Sequence, residues 1–261
     1  METSVKTDLI RKIISQEKRY HLVFFGKTFN LTDFADTLRK YGEEKIKLWQ
    51  NLGFEPHFLP KVSMMPKDYY PGWKIKPSKW FYKKVFEGKI FRQINGELKK
   101  VETVELEGIS VLIDTRLKPK YDNGRQMYEN DNLCGPVIEK LRESKKIASY
   151  EYGSQDSRFG ISADEWESQI KLALAEELGL KSSQLHLEKT IETNVVPQIF
   201  FPIPRKNNNS AKTWCWCEEY FKNRDNQLIG GSSVSSGSAV SYLPLNGFWR
   251  SLSFRPLAVL N

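Results

Sequence analysis

The chain has 261 residues, 39% of them hydrophobic and 13% aromatic, enough apolar material to bury a core and to exclude an intrinsically disordered chain. Domains cluster near roughly 100–150 residues, so the length suits one large domain or two ordinary ones. Forty Lys and Arg against 32 Asp and Glu leave a formal charge of +8, which favours solubility and polyanions but fixes no fold.

Residues 1–19 carry charges throughout and lack the apolar core of a signal peptide. No stretch approaches the roughly 20 apolar residues of a membrane span. Cys134, Cys215 and Cys217 are an odd set with one tight pair, a usage that favours a reducing compartment. A cytoplasmic protein with no membrane partner is expected.

Residues 1–75 read as a small, mainly helical region. Asn30 caps an expected helix over 31–41, Gly42 breaks it, and a second helix runs over 43–52 to Gly53. Residues 73–90 are basic and aromatic together, and the whole stretch 74–100 holds nine Lys or Arg against two acidic residues. Aromatic side chains beside lysines can stack on bases and neutralise phosphates. They equally describe a solvated strand face with snorkelling stems. Strands are expected over 89–94 and 101–114, with Gly96 in the turn between them and 111–113 as a buried segment.

A helix is expected over 136–144, opened by Pro136. The next is the best signed: Ser162 and Glu165 form a capping box, Ile161 and Trp166 a hydrophobic staple, and Gly179 stops the helix. Residues 184–193 alternate as a strand, 195–203 are apolar and proline-interrupted, and 205–212 form a polar loop. Residues 214–221 make an aromatic strand, and short strands rich in Ser and Gly follow from Leu228.

Three pieces in this order resemble the formylglycine-generating-enzyme type of C-type-lectin fold. They are Arg158-Phe159-Gly160-Ile161-Ser162-Ala163-Asp164-Glu165-Trp166-Glu167, Trp214-Cys215-Trp216-Cys217-Glu218-Glu219-Tyr220, and Leu228-Ile229-Gly230-Gly231-Ser232. The closing Ser253-Phe254-Arg255-Pro256 is similar to that family's terminal turn. The resemblance covers residues 101–261 and implies an α+β fold, a C-type-lectin-like domain over 76–261 behind the helical region 1–75. No Cys follows Cys217, whereas catalytic members of the family resemble oxidases with a paired-cysteine site near the C-terminus. The resemblance therefore implies a binding protein, with no enzymatic activity, cofactor or metal. His21, His57 and His186 sit in no metal or nucleophile motif, and Cys217 reads as a small buried core residue.

Residues 229–261 contain no Lys, Glu, Asp, Gln or Met although 28% of the chain is charged. This bias resembles the variable proteins of diversity-generating retroelements, in which adenine-directed copying of Asn-type codons cannot yield Lys, Glu, Gln, Met or Trp. The resemblance implies a variable segment at 232–253. Tyr242, Leu243, Leu245, Asn246, Phe248 and Arg250 are the expected exposed contacts, and Ser236, Ser238, Val240 and Ser251 lesser ones. Trp166, Trp214, Trp216, Trp249 and Arg255 are expected framework. The implied partner is a macromolecule, with protein favoured. Nucleic acid bound through 73–100 is the alternative, and residues 1–75 carry no motif that names a partner.

Overall fold

Three helices open the chain: α1 (Asp8–Phe25), α2 (Thr32–Tyr41) and α3 (Glu43–Asn51). The computed structural model describes residues 8–116, 128, 131–200, 213–234 and 237–260, so the expected polar loop 205–212 lies outside the described residues. The N-cap position is Leu31, with no side-chain cap, where Asn30 was expected; one residue earlier, Asn30 Oδ1 accepts the Thr32 N–H at 3.0 Å and the Thr32 hydroxyl at 2.7 Å. Gly42 and Gly53, at φ 81° and 83°, take the left-handed geometry that ends each short helix.

Next come β1 (Phe54–Leu59), β2 (Val62–Ser63), α4 (Lys79–Phe86), β3 (Ile90–Ile94), β4 (Glu97–Lys100), β5 (Glu105–Leu106) and β6 (Ile109–Asp114). The middle of the basic aromatic stretch, Lys79–Phe86, is thus a helix, where a strand face was the plain expectation, and strands follow it over Ile90–Ile94 and Glu97–Lys100. The helix's 3.6-residue period turns Phe81, Tyr82 and Val85 into the core and Lys79 and Lys83 outward.

Helix α5 (Cys134–Glu143) follows, then α6 (Ala163–Glu165), which runs through a π-helical turn (Trp166–Ile170) into α7 (Lys171–Leu178). The expected capping box is formed, with the Glu165 N–H donating to Ser162 Oγ at 3.2 Å and the Ser162 N–H to Glu165 Oε2 at 2.8 Å. Gly179 closes α7 in the left-handed conformation.

The expected strand over 184–193 is shorter: β7 is Leu185–Leu187 alone, and Thr190–Ile199 is helix α8. Its β-branched residues favour a strand by propensity, but burial of nearly the whole helix overrides that weak preference. The chain then forms β8 (Trp214–Phe221), β9 (Asn226–Val234), β10 (Gly237–Pro244), β11 (Leu252–Ser253) and β12 (Pro256–Val259).

One sheet has the order β1-β6-β12-β7, every neighbouring pair antiparallel. A second has the order β10-β9-β8-β3-β4, with β11 lying parallel to β8. Strand periodicity of two divides the core. Leu112 and Ala258 face a cluster built with α2, α3, α5 and α7, whereas Val111, Ile113 and Leu257 face one built with α1, α4 and α8. Strand β8 likewise sends Trp216 to the first cluster and Cys217 to the second.

Because β1 pairs with β6 from Phe54↔Asp114 to Leu59↔Ile109, the first 75 residues are not set apart from the rest in packing. They also share both clusters. Helix α1 is fixed to β1 by buried Glu17: Oε1 accepts the Phe58 N–H at 2.7 Å and Oε2 pairs with His57 Nδ1 at 3.0 Å. The His57 ring stacks on Phe200 at 3.9 Å.

Candidate functional site

The segment expected to carry the ligand face leaves the second sheet at its edge strand, β10. Ser238 is buried and clamped there: its N–H donates to Lys76 O and its carbonyl accepts the Ser78 N–H, both at 2.9 Å. It is therefore not an exposed contact, because the approach to α4 covers it. Ser236 lies outside the described residues. Val240 is half-buried against the second cluster. Tyr242 is 41% exposed, and its ring stacks on Phe221 at 4.3 Å and, at 6.2 Å, on Trp80.

Beyond β10 the backbone is tied down at both ends. Leu245 donates its N–H to Asp225 O at 3.2 Å, and its carbonyl accepts the N–H groups of Ala163 and Asp164 at 3.0 and 3.3 Å. Those two are among the first donors of a helix, which have no partner within it. The loop thus serves as acceptor for the best-signed helix of the chain. A tight turn follows, with the Gly247 N–H donating to Pro244 O at 2.8 Å. A Cβ at Gly247 would stand 2.9 Å from that carbonyl oxygen, so only glycine fits.

At the far end the Trp214 N–H donates to Ser251 O at 2.9 Å and the Gly160 N–H to Leu252 O at 3.0 Å. The Tyr150 hydroxyl donates to Arg250 O at 2.8 Å. Between these ties Asn246, Phe248, Trp249 and Arg250 are exposed, while Ser251 is half-buried. Leu243 and Leu245 are also half-buried, packed on the first cluster, so they act as footing more than as contact. Trp249 departs from expectation in the opposite sense. It is 42% exposed, meeting Trp214 edge-on at 6.3 Å, because the Pro244–Gly247 turn carries it out of the core. Trp166, Trp216 and Arg255 are buried as framework.

A second loop, residues 148–160, borders this one and was not foreseen. Buried Arg142 gathers it: Nε donates to Ala148 O, Nη1 to Gln155 O and Ser157 O, and Nη2 to Phe159 O, at 2.7–3.0 Å. Burial pulls this guanidinium down to about 10. Tyr150 fits against Gly153 and Gly160, where a Cβ would come within 2.9 and 2.7 Å of its ring. Tyr152, 44% exposed, lies 6.0 Å from the Arg250 guanidinium. Gly153 and Gly160, both following the Tyr150-Glu151-Tyr152 run, were the available signal in the sequence.

Beneath both loops lies a buried ionic cluster. Arg158 donates to Asp131 through Nε and Nη2 and to Asp114 through Nη1, at 2.5–2.8 Å. Arg255 Nη1 lies 3.5 Å from the same Asp114 carboxylate, and the Tyr128 ring stacks under Arg158 at 4.3 Å. Burial alone would raise the Asp114 carboxyl, but Arg158 and then Arg255 outweigh it and hold it below its ordinary range.

All three cysteines are free thiols and buried. Burial pushes Cys217 well above the usual thiol range, which leaves it an inert core residue. Among the described residues no cluster of His, Cys, Asp and Glu is arranged to hold a metal, and no helix is long and apolar enough to cross a membrane.

In the basic stretch, Trp73, Phe81 and Tyr82 are buried, and the Trp73 Nε1–H donates to Asn194 Oδ1 at 2.9 Å. Lys84 and Lys89 both pair with Glu87, at 2.7 and 2.8 Å. Of the stretch's other aromatic residues, Trp80 is half-buried and Phe86 is exposed on the same helix as Lys79 and Lys83. No family model matches the chain, and no curated protein or solved structure matches it.

Proposed function

We propose that this chain is a non-enzymatic binding protein, a C-type-lectin-like scaffold that presents a diversified C-terminal face to a macromolecular ligand, a protein. The topology is in keeping with the scaffold. Strands β6 and β12, near the start and the end of the resembling region, pair antiparallel; α5 and α6–α7 lie between them in sequence, and β8–β10 form a second sheet together with β3, β4 and β11.

The observation that carries the functional reading is the contrast within residues 245–252: a backbone bonded at both ends, with Asn246, Phe248, Trp249 and Arg250 exposed between. Irregular backbone on a rigid base is the usual setting for binding residues. Aromatic and Arg side chains are the usual energetic anchors of an interface. Trp249, which adenine-directed copying cannot create, is the constant member of this face. The nucleic-acid reading is less favoured because Phe81 and Tyr82 are core residues.

The test is a displayed library randomised at Asn246, Phe248 and Arg250, scored for folding and then selected against unrelated proteins. Surface substitutions cost within about 0.5 kcal/mol, so most members should fold, and selection should enrich different sequences for different targets. General unfolding of the library overturns the reading. Differences at adenines against a near-identical repeat in the encoding DNA would establish diversification directly.

A further inference from the structure

Beside that face, and sharing Leu245 with it, residues of both sheets line a cleft. One hollow of about 240 Å³ is lined by Arg92, Glu107, Lys189, Glu192 and apolar residues of β12. A second, of about 490 Å³, is lined by Asp164, Trp166, Glu167, Lys171, Tyr220 and Leu245. Both share Gln93, His186, Leu187 and Glu218, so they are the two ends of one trough. Its walls carry five carboxylates against three Lys or Arg, the reverse of the +8 charge of the whole chain.

Two of the carboxylates are neutralised locally. Glu107 pairs with Arg92 and Lys189, both at 2.6 Å, and Glu167 with Lys171 at 2.7 Å. Glu218 and Asp164 are not neutralised in this way, and Glu192, whose Oε2 accepts the Lys189 N–H at 2.8 Å, has only a longer ion pair. Glu192 is 1% exposed, yet its Oε1 receives no hydrogen bond among the described residues, and the Lys189 Nζ stands 3.6 Å away. Glu218 has only the His186 ring at 3.6 Å as an ion-pair partner among the described residues. Asp164 makes no ion pair among them. A buried carboxylate oxygen without a donor is destabilising, and a bound N–H donor would relieve it. The three fall at one end, the shared middle and the other end, with Trp166, Leu187 and Leu245 supplying apolar wall between.

We infer that this trough binds a linear alkyl polyammonium ion, its ammonium groups at Glu192, Glu218 and Asp164 and its methylenes along the apolar wall. The local field agrees: burial raises the Tyr220 phenol, and Glu167, Glu218 and Asp164 raise it further. Burial also carries Glu192 up to about 7; Lys189 opposes this, while Glu218 and Glu188 add to it. Arg92 and Glu107 are the other charges on its cleft. A cation arriving beside Glu192 favours the ionised form, so binding releases protons and strengthens as pH rises through about 7.

The experiment is isothermal titration calorimetry of the full chain with spermidine at low salt. One-site binding is expected, weakened at least roughly tenfold by Glu218→Gln and by Asp164→Asn, both at solvent-accessible positions that leave the fold intact. Glu44→Gln on exposed α3 and Phe248→Ala in the C-terminal loop should change nothing, which separates this site from the face proposed above. Titrations at pH 7 in buffers of different ionisation enthalpy should show proton release in the wild type and none in Glu192→Gln. Hexaamminecobalt, a compact trivalent cation, should bind more weakly than spermidine. Absence of binding overturns the proposal, as does affinity indifferent to Glu218 and Asp164, absence of proton release, or equal affinity for the compact ion.

Discussion

Replacing Arg158 by Met keeps the side chain's length while removing its charge, and it tests the ionic cluster beneath the two loops. The guanidinium makes three charge-assisted contacts to Asp114 and Asp131 with no exposed surface of its own. Removing one partner of a buried pair strands the other charge, at a cost of about 3–5 kcal/mol. Melting temperature moves by about 2 °C per kcal/mol for a chain of this length, so Arg158→Met should melt roughly 6–10 °C below wild type at pH 7.

The same variant has a pH signature. In the wild type the depressed Asp114 contributes stability above its unfolded pKa of about 3.9, lost only as pH falls through the still lower folded value. Without Arg158, Asp114 loses the largest of the interactions that hold its carboxyl down, leaving Arg255 and the Arg116 N–H against burial, so it protonates more readily than in wild type and protonation relieves the variant. The melting gap should narrow as pH is lowered from about 7 to about 5. Differential scanning fluorimetry across that range reads both effects. A gap under about 2 °C at pH 7, or one that stays constant or widens toward pH 5, would refute the reasoning.

Trp166→Ala should destabilise by about 3–5 kcal/mol, because the indole is buried against Phe254 with ring centroids 5.1 Å apart; a denaturant midpoint near wild type would place the π-helical turn outside the core. Burial would depress the His57 imidazole, but Glu17 and then Glu55 override it and carry it up to about 9. The resulting stabilisation is complete below the unfolded value of about 6.5 and lost as pH rises through about 9. Thermal melts should therefore fall across that interval, and His57→Gln should flatten the profile.

The elements most legible in the sequence were those with local chemistry. Ser162 and Glu165 find each other three residues apart, Gly179 ends its own helix, and the alternation in 214–221 declares β8. Helix α1 was obscured because Glu17 and His21 occupy core positions, and their burial depends on Phe58 and His57 some 40 residues away. Helix α8 was hidden by its β-branched composition, which only tertiary packing reverses. In the site, exposure of Asn246, Phe248 and Arg250 agrees with the compositional bias of the tail, whereas Ser238 is covered by Lys76 and Ser78, a contact no local pattern announces. Loop 148–160 stayed invisible because Arg142 assembles it from four carbonyls spread along the chain.

Strand β12 sits inside its sheet, between β6 and β7, although it comes last in chain order among the elements. Translation must therefore pass through the whole of residues 232–253 before that sheet has its inner strand. A copy of the gene carrying a frameshift or stop within this segment yields a chain with β6 and β7 left apart and both core clusters open to water. The order of strands thus makes completion of the first sheet depend on the chain being made through Val259.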